Sequence, residues 1–483
     1  MENMKYDVVI GLEVHVQIKT KSKMFCSCPA SFGEEPNTSI CPVCTGYPGV
    51  MPVPNYEAIK KTIIAGIMCG CEIPELSKFD RKSYFYPDMP KNYQITQYDL
   101  PFCQRGEIHI FGKGFSGNMM EEKYIHMTRI HLEEDVAKSV HFSTFSGIDY
   151  NRAGVPLMEI VSEPEISSAD EAYAYLTTLK QIMQYAGISD CDMEKGQMRC
   201  DVNISLKPSG QIEFGTKIEL KNLNSFRAIH RAINSEIERQ QDILLSGGKL
   251  QQETRGWNDD RMTSYLMRVK ESAHDYRYFP EPDLTPICFS KEDIENLKKE
   301  LPELPEIKAK RFVSDYGLTE YDAAVITSEK NLADYFDDGA KKTSAPKILA
   351  NWVISELLRE LSNANISINE VKISSDDMAK LVNMISINTI SGKIGKTVFA
   401  EMFETGKAPE EIVREKGLVQ VSDEPEIESF VAKSIQENPM QVEQYKTGKT
   451  AVIQYFVGQV MKLSKGKANP QAVQKMLKSK LDA

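Results

Sequence analysis

The sequence predicts an α+β fold: a largely antiparallel sheet over residues 1–290, a helical domain over 291–407 and a small helical tail domain over 408–483. Three observations predict it. Short stretches that alternate apolar and polar residues, interrupted by helical patterns, fill the first part. Pro280, Pro282 and Pro286 then mark a change to apolar residues at helical spacing. Gly406 to Pro409 forms a second break, ahead of a lysine-rich end.

The first alternating stretch runs from Leu12 to Ile18, where Leu12, Val14, Val16 and Ile18 share one face of a strand and Glu13 and His15 share the other. A carboxylate and an imidazole two residues apart, roughly 6.5–7 Å between α-carbons, reach toward one cation; a half-exposed strand with its polar face in water reads the same way. Cys26 and Cys28, then Cys41 and Cys44, pair short spacings around the turn formers Pro42 and Gly46. That pattern predicts a structural zinc site with four thiolate ligands and no open position, in preference to disulfides or unrelated core cysteines.

Phe79 to Asp88 interleaves cations and aromatics, as a nucleotide- or RNA-stacking surface or a packed edge strand would. Glu133, Glu134 and Asp135 crowd like charges, and Glu159 interrupts the apolar run Pro156 to Val161, so each needs a cation or a surface turn. Ser168 with Glu171 opens a helix through Leu176, Leu179, Ile182 and Met183 that stops at Gly187. Two more alternating strands follow, one with Arg199, Asp201, Asn203 and Ser205 on its polar face, the other with Lys217, Glu219 and Lys221. Together with the first strand they could form one reactive surface, acids holding magnesium and cations meeting phosphates.

Phe226, Ile229, Ile233, Ile237 and Leu244 fall at helical spacing and end at Ser246-Gly247-Gly248. Beyond the prolines, Ile348, Leu349, Trp352, Leu357 and Leu361 form one amphipathic run, and Met378, Leu381, Val382 and Ile385 another. In the tail, Lys446, Lys449, Lys462, Lys465, Lys467, Lys475, Lys478 and Lys480 stand against Asp482 alone, a basic patch or a solvated helical surface.

The bulk numbers narrow the function classes. A chain of 483 residues exceeds one compact core, and 41% hydrophobic with 26% charged residues is the balance of a globular protein. A net charge of −11 argues against coating nucleic acid non-specifically, although not against one specific RNA. No apolar stretch approaches a membrane span and no signal-peptide pattern opens the chain, so a cytoplasmic location is expected. Neither a G-x-x-x-x-G-K-[ST] phosphate-binding loop nor a dinucleotide glycine fingerprint is present, so any ATP site is of another kind.

With these residues in hand, the chain resembles the B-subunit family of the aspartyl/glutamyl-tRNA amidotransferases (GatCAB) over essentially its whole length. The strings that carry the resemblance are Gly11 to His15, FDRKSYFYPDMPKNYQITQ from Phe79, NRAGVPLMEIVSEPE from Asn151, RCDVNIS from Arg199, GTKIELKNLNSF from Gly215 and DYRYFPEPDL from Asp275. The resemblance implies a cradle-shaped catalytic domain similar to the glutamine synthetase catalytic fold, then a helical domain and a YqeY-like tail that engages tRNA. It implies ATP- and magnesium-dependent phosphorylation of the side-chain carboxylate of glutamyl-tRNA(Gln) or aspartyl-tRNA(Asn), and displacement of phosphate by ammonia. The ammonia comes from glutamine through an amidase A subunit, with a small C subunit completing a heterotrimer.

Carried over on the matching strings, Glu13, His15, Glu134 and Glu159 are the expected magnesium set, with Asp201 as a further acid. The choice of Glu134 over Glu133 rests on resemblance, not periodicity. Arg81 and Lys82 are the expected phosphate contacts, with Lys217 and Lys221 as further ones. Two rival functions remain open on the sequence: a tRNA-binding scaffold with an inactive face, and a stand-alone ATP-dependent carboxylate–amine ligase for a small molecule.

Overall fold

The computed structural model describes residues 5–269, 276–418, 424–464, 468 and 470–482. Lys465, Lys467 and Asp275 lie outside the described residues. The chain forms two compact units, Met1–Leu304 and Pro305–Ala483.

The first unit is built on eight strands: β1 (Tyr6–Gln17), β2 (Cys103–Ile110), β3 (Lys123–Glu134), β4 (Pro156–Ser162), β5 (Met198–Pro208), β6 (Ile218–Lys221), β7 (Glu253–Asn258) and β8 (Thr263–Val269). They lie in the order β8-β7-β6-β5-β1-β4-β3-β2, antiparallel except for β6 beside β7. Alternation decides which face each side chain joins. Leu12, Val14 and Val16 of β1, Val202 and Ile204 of β5, and Ile218 and Leu220 of β6 are all buried in one core. Three helices supply the other half of that core: α1 (Tyr56–Met68), α2 (Ala169–Tyr185) and α3 (Phe226–Leu245). The opposite face of the sheet is left for polar groups.

Helix ends follow local chemistry. Asn55 caps α1 by accepting from the Glu57 and Ala58 amides, and Ser225 caps α3 by accepting from Ala228. Ser168 caps α2 through the Glu171 amide at 3.1 Å, but the Glu171 carboxylate takes the amide and hydroxyl of Ser167, not of Ser168. The reciprocal half of the expected capping box is therefore displaced by one residue.

The proline-rich stretch, expected to end the first domain near 290, folds back into it. Phe279–Pro280 pairs with Arg81–Asp80, and Ile287–Cys288 pairs with Ser77–Leu76. A fourth helix, α4 (Lys291–Lys299), packs on α1, and Lys60 Nζ meets Glu300 at 2.7 Å. The first unit accordingly runs to Leu304.

The second unit is helical. Its buried residues Phe312, Phe336, Leu349, Val353, Leu381 and Phe399 come from α5 (Pro305–Tyr316), α7 (Lys330–Ala340), α8 (Pro346–Trp352) with the π-helical turn that continues it, α10 (Ser375–Ser386) and α11 (Gly392–Thr405), with α6 (Glu320–Ile326) and α9 (Leu358–Ala364) between them. The break at Gly406–Pro409 is a turn inside this layer: Gly406 takes a left-handed φ of 74°, and α12 (Pro409–Glu415) packs back on α10 and α11, burying Ile412 and Val413. The remaining helices α13 (Glu424–Glu437), α14 (Pro439–Lys446), α15 (Ile453–Leu463) and α16 (Pro470–Leu481) have a core of their own around Ile427, Val431, Phe456, Val460 and Leu477. Among the described residues, no helix is long and apolar enough to cross a membrane.

Candidate functional site

Strand register lines up the polar groups on the open face. His15 pairs with Arg199 of β5 on one side and with Glu159 of β4 on the other, and Glu159 pairs in turn with His131 of β3. One row across four neighbouring strands is thus Arg199, His15, Glu159, His131. In the next row Glu13 pairs with Asp201, while Asn203 pairs with Glu219, which brings Lys221 beside Asp201. Two residues along β3 from His131, Glu133 returns to the same face.

These side chains converge. His15 Nε2 lies 3.3 Å from Glu159 Oε2 and 3.9 Å from both Glu133 Oε1 and Glu13 Oε1. His131 Nε2 lies 3.6 Å from Glu133 and 3.7 Å from Glu159. Two ligand sets result, Glu13–His15–Glu159 and His131–Glu133–Glu159, each with one donor atom per residue within 4.8 Å of the others, and Glu159 common to both. Buried carboxylates and imidazoles this close require positive charge. Burial disfavours the His15 cation, yet its hydrogen bond to Glu159 and the charges of Glu159, Glu133 and Glu13 push its pKa up to about 9. The same burial would raise Glu159, but His131, His15 and Lys82 hold it well below the carboxylate range. His131 Nδ1 is buried with no hydrogen-bond partner among the described residues. An oxygen-rich set of three carboxylates with two imidazoles fits divalent cations of the magnesium and manganese type.

The cluster opens into a basin of about 460 Å³ lined by His15, Glu133, Arg199, Asp201, Lys221 and Lys82 among others. Lys82 arrives from Asp80–Ser83, a short strand paired with Tyr93–Thr96 over this face. Burial opposes its charge, but Glu133, Tyr278 and Glu159 keep the ammonium protonated beyond the usual lysine range.

Three expected site residues stand elsewhere. Glu134 follows Glu133 on a strand and therefore points to the opposite side. There it forms an ion pair with Lys91 and accepts from the Ile95 amide at 3.0 Å, close to Cys44 and Gly154. Arg81, next to Lys82, is likewise turned away and held by Glu281 through bonds of 2.7 and 2.8 Å, so its charge is already matched. Lys217 is exposed ahead of β6 and does not line the basin. Lys221 and Asp201 do line it, ion-paired with each other, and Glu219 lies 3.2 Å from Lys221.

His131 was not expected in the site; Glu133 was expected only to need a cation nearby and Arg199 only to lie on the polar face of a strand, and neither was assigned to the magnesium or phosphate set. A signal existed: His131-Leu132-Glu133 repeats, in reverse, the Glu13-Val14-His15 spacing, and both histidine–glutamate pairs sit in alternating strands. Arg199 was marked only by its place on the polar face of an alternating strand; its position beside His15 follows from register.

On the far side of Glu134, the Sγ atoms of Cys26, Cys28, Cys41 and Cys44 lie within 4.8 Å of one another, with Cys41 and Cys44 3.9 Å apart. The hydrogen bond from Cys26, with the nearby Lys23 ammonium, pulls the Cys44 thiol down to about 4. This group can hold a metal such as zinc. Gly46, at φ +73°, is pressed against Lys91: an added Cβ would sit 2.7 Å from its Cγ. The cysteine loop thereby braces the Lys91–Glu134 pair.

Residues 8–295, which contain the whole basin, match the GatB/GatE catalytic domain, and residues 334–481 match the GatB domain. The chain is 52% identical over 482 residues to the B subunit of the aspartyl/glutamyl-tRNA(Asn/Gln) amidotransferase of Carboxydothermus hydrogenoformans, covering 99% of each chain. The chain belongs to this amidotransferase B-subunit family. Its counterpart of the same name in Persephonella marina is 52% identical over 479 residues, 99% of this chain and 100% of that one. That of Thermodesulfovibrio yellowstonii is 48% identical over 475 residues, 98% and 99%. Family membership makes the chain one component of an amidotransferase.

Proposed function

We propose that the basin phosphorylates the side-chain carboxylate of glutamate or aspartate esterified to tRNA, at the expense of ATP, and that ammonia then replaces the phosphate. The observation that carries this reading is the pair of ligand sets sharing Glu159 at the floor of a cation-lined basin in a domain of the GatB/GatE catalytic family. A carboxylate resists amines because oxide is a poor leaving group. Transfer of the terminal phosphoryl of ATP to a carboxylate oxygen, with release of ADP, creates an acyl phosphate whose phosphate leaves when ammonia attacks the carbon.

Glu13, His15, Glu133, Glu159 and His131 are the residues that would hold magnesium, which supplies charge neutralisation for the phosphate oxygens. Lys82, fixed as a cation above Glu133 and Glu159, draws the anionic substrate onto the floor of the basin. Asp201 and Lys221 close its rim as a matched pair. The four-cysteine loop would carry a structural zinc. The relatives' names describe one component of a larger enzyme, so ammonia from a partner amidase and a small third chain fits the reading, as does a glutamine synthetase-like cradle for the first unit. The exposed lysines Lys446, Lys449, Lys462, Lys475 and Lys478 of the tail are suited to a tRNA backbone.

The test is ADP formation by the complex reconstituted with its A and C partners, in magnesium and ammonium, with and without glutamyl- or aspartyl-tRNA. Stimulation by charged tRNA together with amidated aminoacyl-tRNA is expected. Tight tRNA binding with neither ADP nor amide on both substrates would establish the scaffold reading instead.

A further inference from the structure

We propose that Arg199, aimed by the buried carboxylate of Asp135, is the residue that contacts the phosphoryl group while it moves from nucleotide to substrate. The inference rests on the phosphorylation reading above and adds two residues to it.

Arg199 stands at the end of the row that begins with the cation cluster, one strand from His15 and directly opposite it in register. Neighbouring strands are about 4.8 Å apart, so Arg199 stands beside the residues that would hold magnesium and the phosphate oxygens it neutralises. It also forms part of the wall between two cavities: it lines both the 460 Å³ basin and an adjoining space of about 880 Å³ bordered by Lys19, Lys138, Arg152 and Asn224. An anion passing between a nucleotide in one and an acyl group in the other passes Arg199.

Its hydrogen-bonding capacity is largely uncommitted. Nη2 donates to Asp135 Oδ1 at 3.0 Å, and Nε is buried with no partner among the described residues. A guanidinium carries five N–H donors, and with its side chain 38% exposed Arg199 keeps donors for a ligand. The neighbouring cations differ. Lys221 is matched by Asp201 and Glu219, Arg81 by Glu281, and Arg152, which also lies 3.7 Å from Asp135, spends its Nε and Nη2 on the Val136 and Ala137 carbonyls at 2.9 Å.

Asp135 is built to hold such a group still. Its side chain is 1% exposed; Oδ1 accepts from the Val136 amide at 2.9 Å and from Arg199, and Oδ2 accepts from Gln17 Nε2 at 2.8 Å with Arg152 Nε 3.7 Å away. A buried carboxylate is costly without partners, so Asp135, fixed by Gln17 and the Val136 amide, holds the guanidinium of Arg199 in place. In the transfer, the bond from the terminal phosphorus to the bridging oxygen of ADP breaks as one to the substrate carboxylate oxygen forms. Charge spreads over three equatorial oxygens, one of which Arg199 would hydrogen-bond without exchanging a proton. Asp135 touches none of the reacting atoms and is a positioning residue.

The experiment uses the complex with its partner subunits and the variants Arg199→Ala, Arg199→Lys and Asp135→Asn. Calorimetry measures binding of ADP alone and of ADP with beryllium fluoride, which stands in for the terminal phosphoryl; ADP formation is followed with charged tRNA, with and without added guanidinium. For Arg199→Ala, loss of about a hundredfold in rate, at least about tenfold weaker ADP–beryllium fluoride binding and near-constant ADP binding are expected. Guanidinium should restore part of the Arg199→Ala rate and none of the Asp135→Asn rate. Arg199→Lys keeps the charge and carries the test if the alanine variant does not fold; it should also lose the beryllium fluoride increment, because an ammonium cannot reproduce the fork. Folded variants within about threefold of wild type, or equal loss of ADP and ADP–beryllium fluoride binding, overturn the assignment. A wild-type complex that forms no ADP with charged tRNA overturns the phosphorylation reading as well.

Discussion

Three consecutive carboxylates, Glu133, Glu134 and Asp135, meet different partners: Glu133 faces His131, Glu134 pairs with Lys91, and Asp135 takes Arg199 and Arg152. The arrangement follows from strand alternation at the end of β3, which sends neighbours to opposite faces. It separates two effects that a sequence string cannot. Glu133→Gln should reduce charged-tRNA-dependent ADP formation by about a hundredfold or more with an unchanged thermal midpoint. Glu134→Gln leaves Lys91 buried without its partner and should cost roughly 3–5 kcal/mol in denaturant unfolding while the cation cluster stays intact. Comparable losses of activity at unchanged stability in both variants would contradict the geometry. Glu13 and His15 were legible from polar residues in apolar alternation and Glu159 from its interruption of an apolar run, and alternation could have favoured Glu133 over Glu134 once His131 was taken as its companion. Which strand lies beside which, and so the place of Arg199, depends on pairing between residues far apart in the chain.

Among the elements, the strands and helices that carry their own local signal were legible: β1 by strict alternation, α3 by its apolar spacing and the Ser246-Gly247-Gly248 stop. The segment 279–288 was not. Its prolines announce a break in regular structure, but say nothing of the short pairings that return it to Leu76–Ser77 and Asp80–Ser83. The cysteine spacing correctly brought four thiols together. It did not disclose the contact of Gly46 with Lys91, which ties that loop to the back of the strand bearing Glu133. Cys44→Ser is accordingly expected to release one equivalent of zinc, measured by metal analysis, and to open residues 26–50 to protease. Activity should fall as Lys91 and Glu134 loosen, with α1 and the sheet core still protected from hydrogen exchange. Retention of zinc and of protease resistance would contradict the four-thiol site.

For the molecule as a whole, apolar spacing showed a sheet-based part followed by helices, while the division between units depends on which faces pack. Because α12 buries Ile412 and Val413 against α10 and α11, removing everything after residue 418 should leave both the basin and the helical layer folded, whereas a cut at 408 exposes apolar surface. The longer truncated chain should form cooperative unfolding transitions and lose tRNA affinity; undiminished affinity would clear the tail of that role. In the second unit, burial pushes the Asp337 carboxyl up, but Arg311, Tyr316 and Lys341 more than reverse this and hold it low. A depressed native pKa gives stability that is full above the unfolded value near 4 and is lost as pH falls further, so Asp337→Asn should lower stability at neutral pH and flatten its decline between about pH 4 and pH 2. Equal acid sensitivity in denaturant titrations of both proteins would count against that network. The central claim, phosphorylation of the tRNA-borne carboxylate, is tested most directly with glutamyl- or aspartyl-tRNA carrying oxygen-18 in the side-chain carboxylate. Mass analysis of the phosphate released during amidation by the complete complex should find one oxygen-18 per phosphate, and unlabelled phosphate alongside amidated tRNA would contradict it.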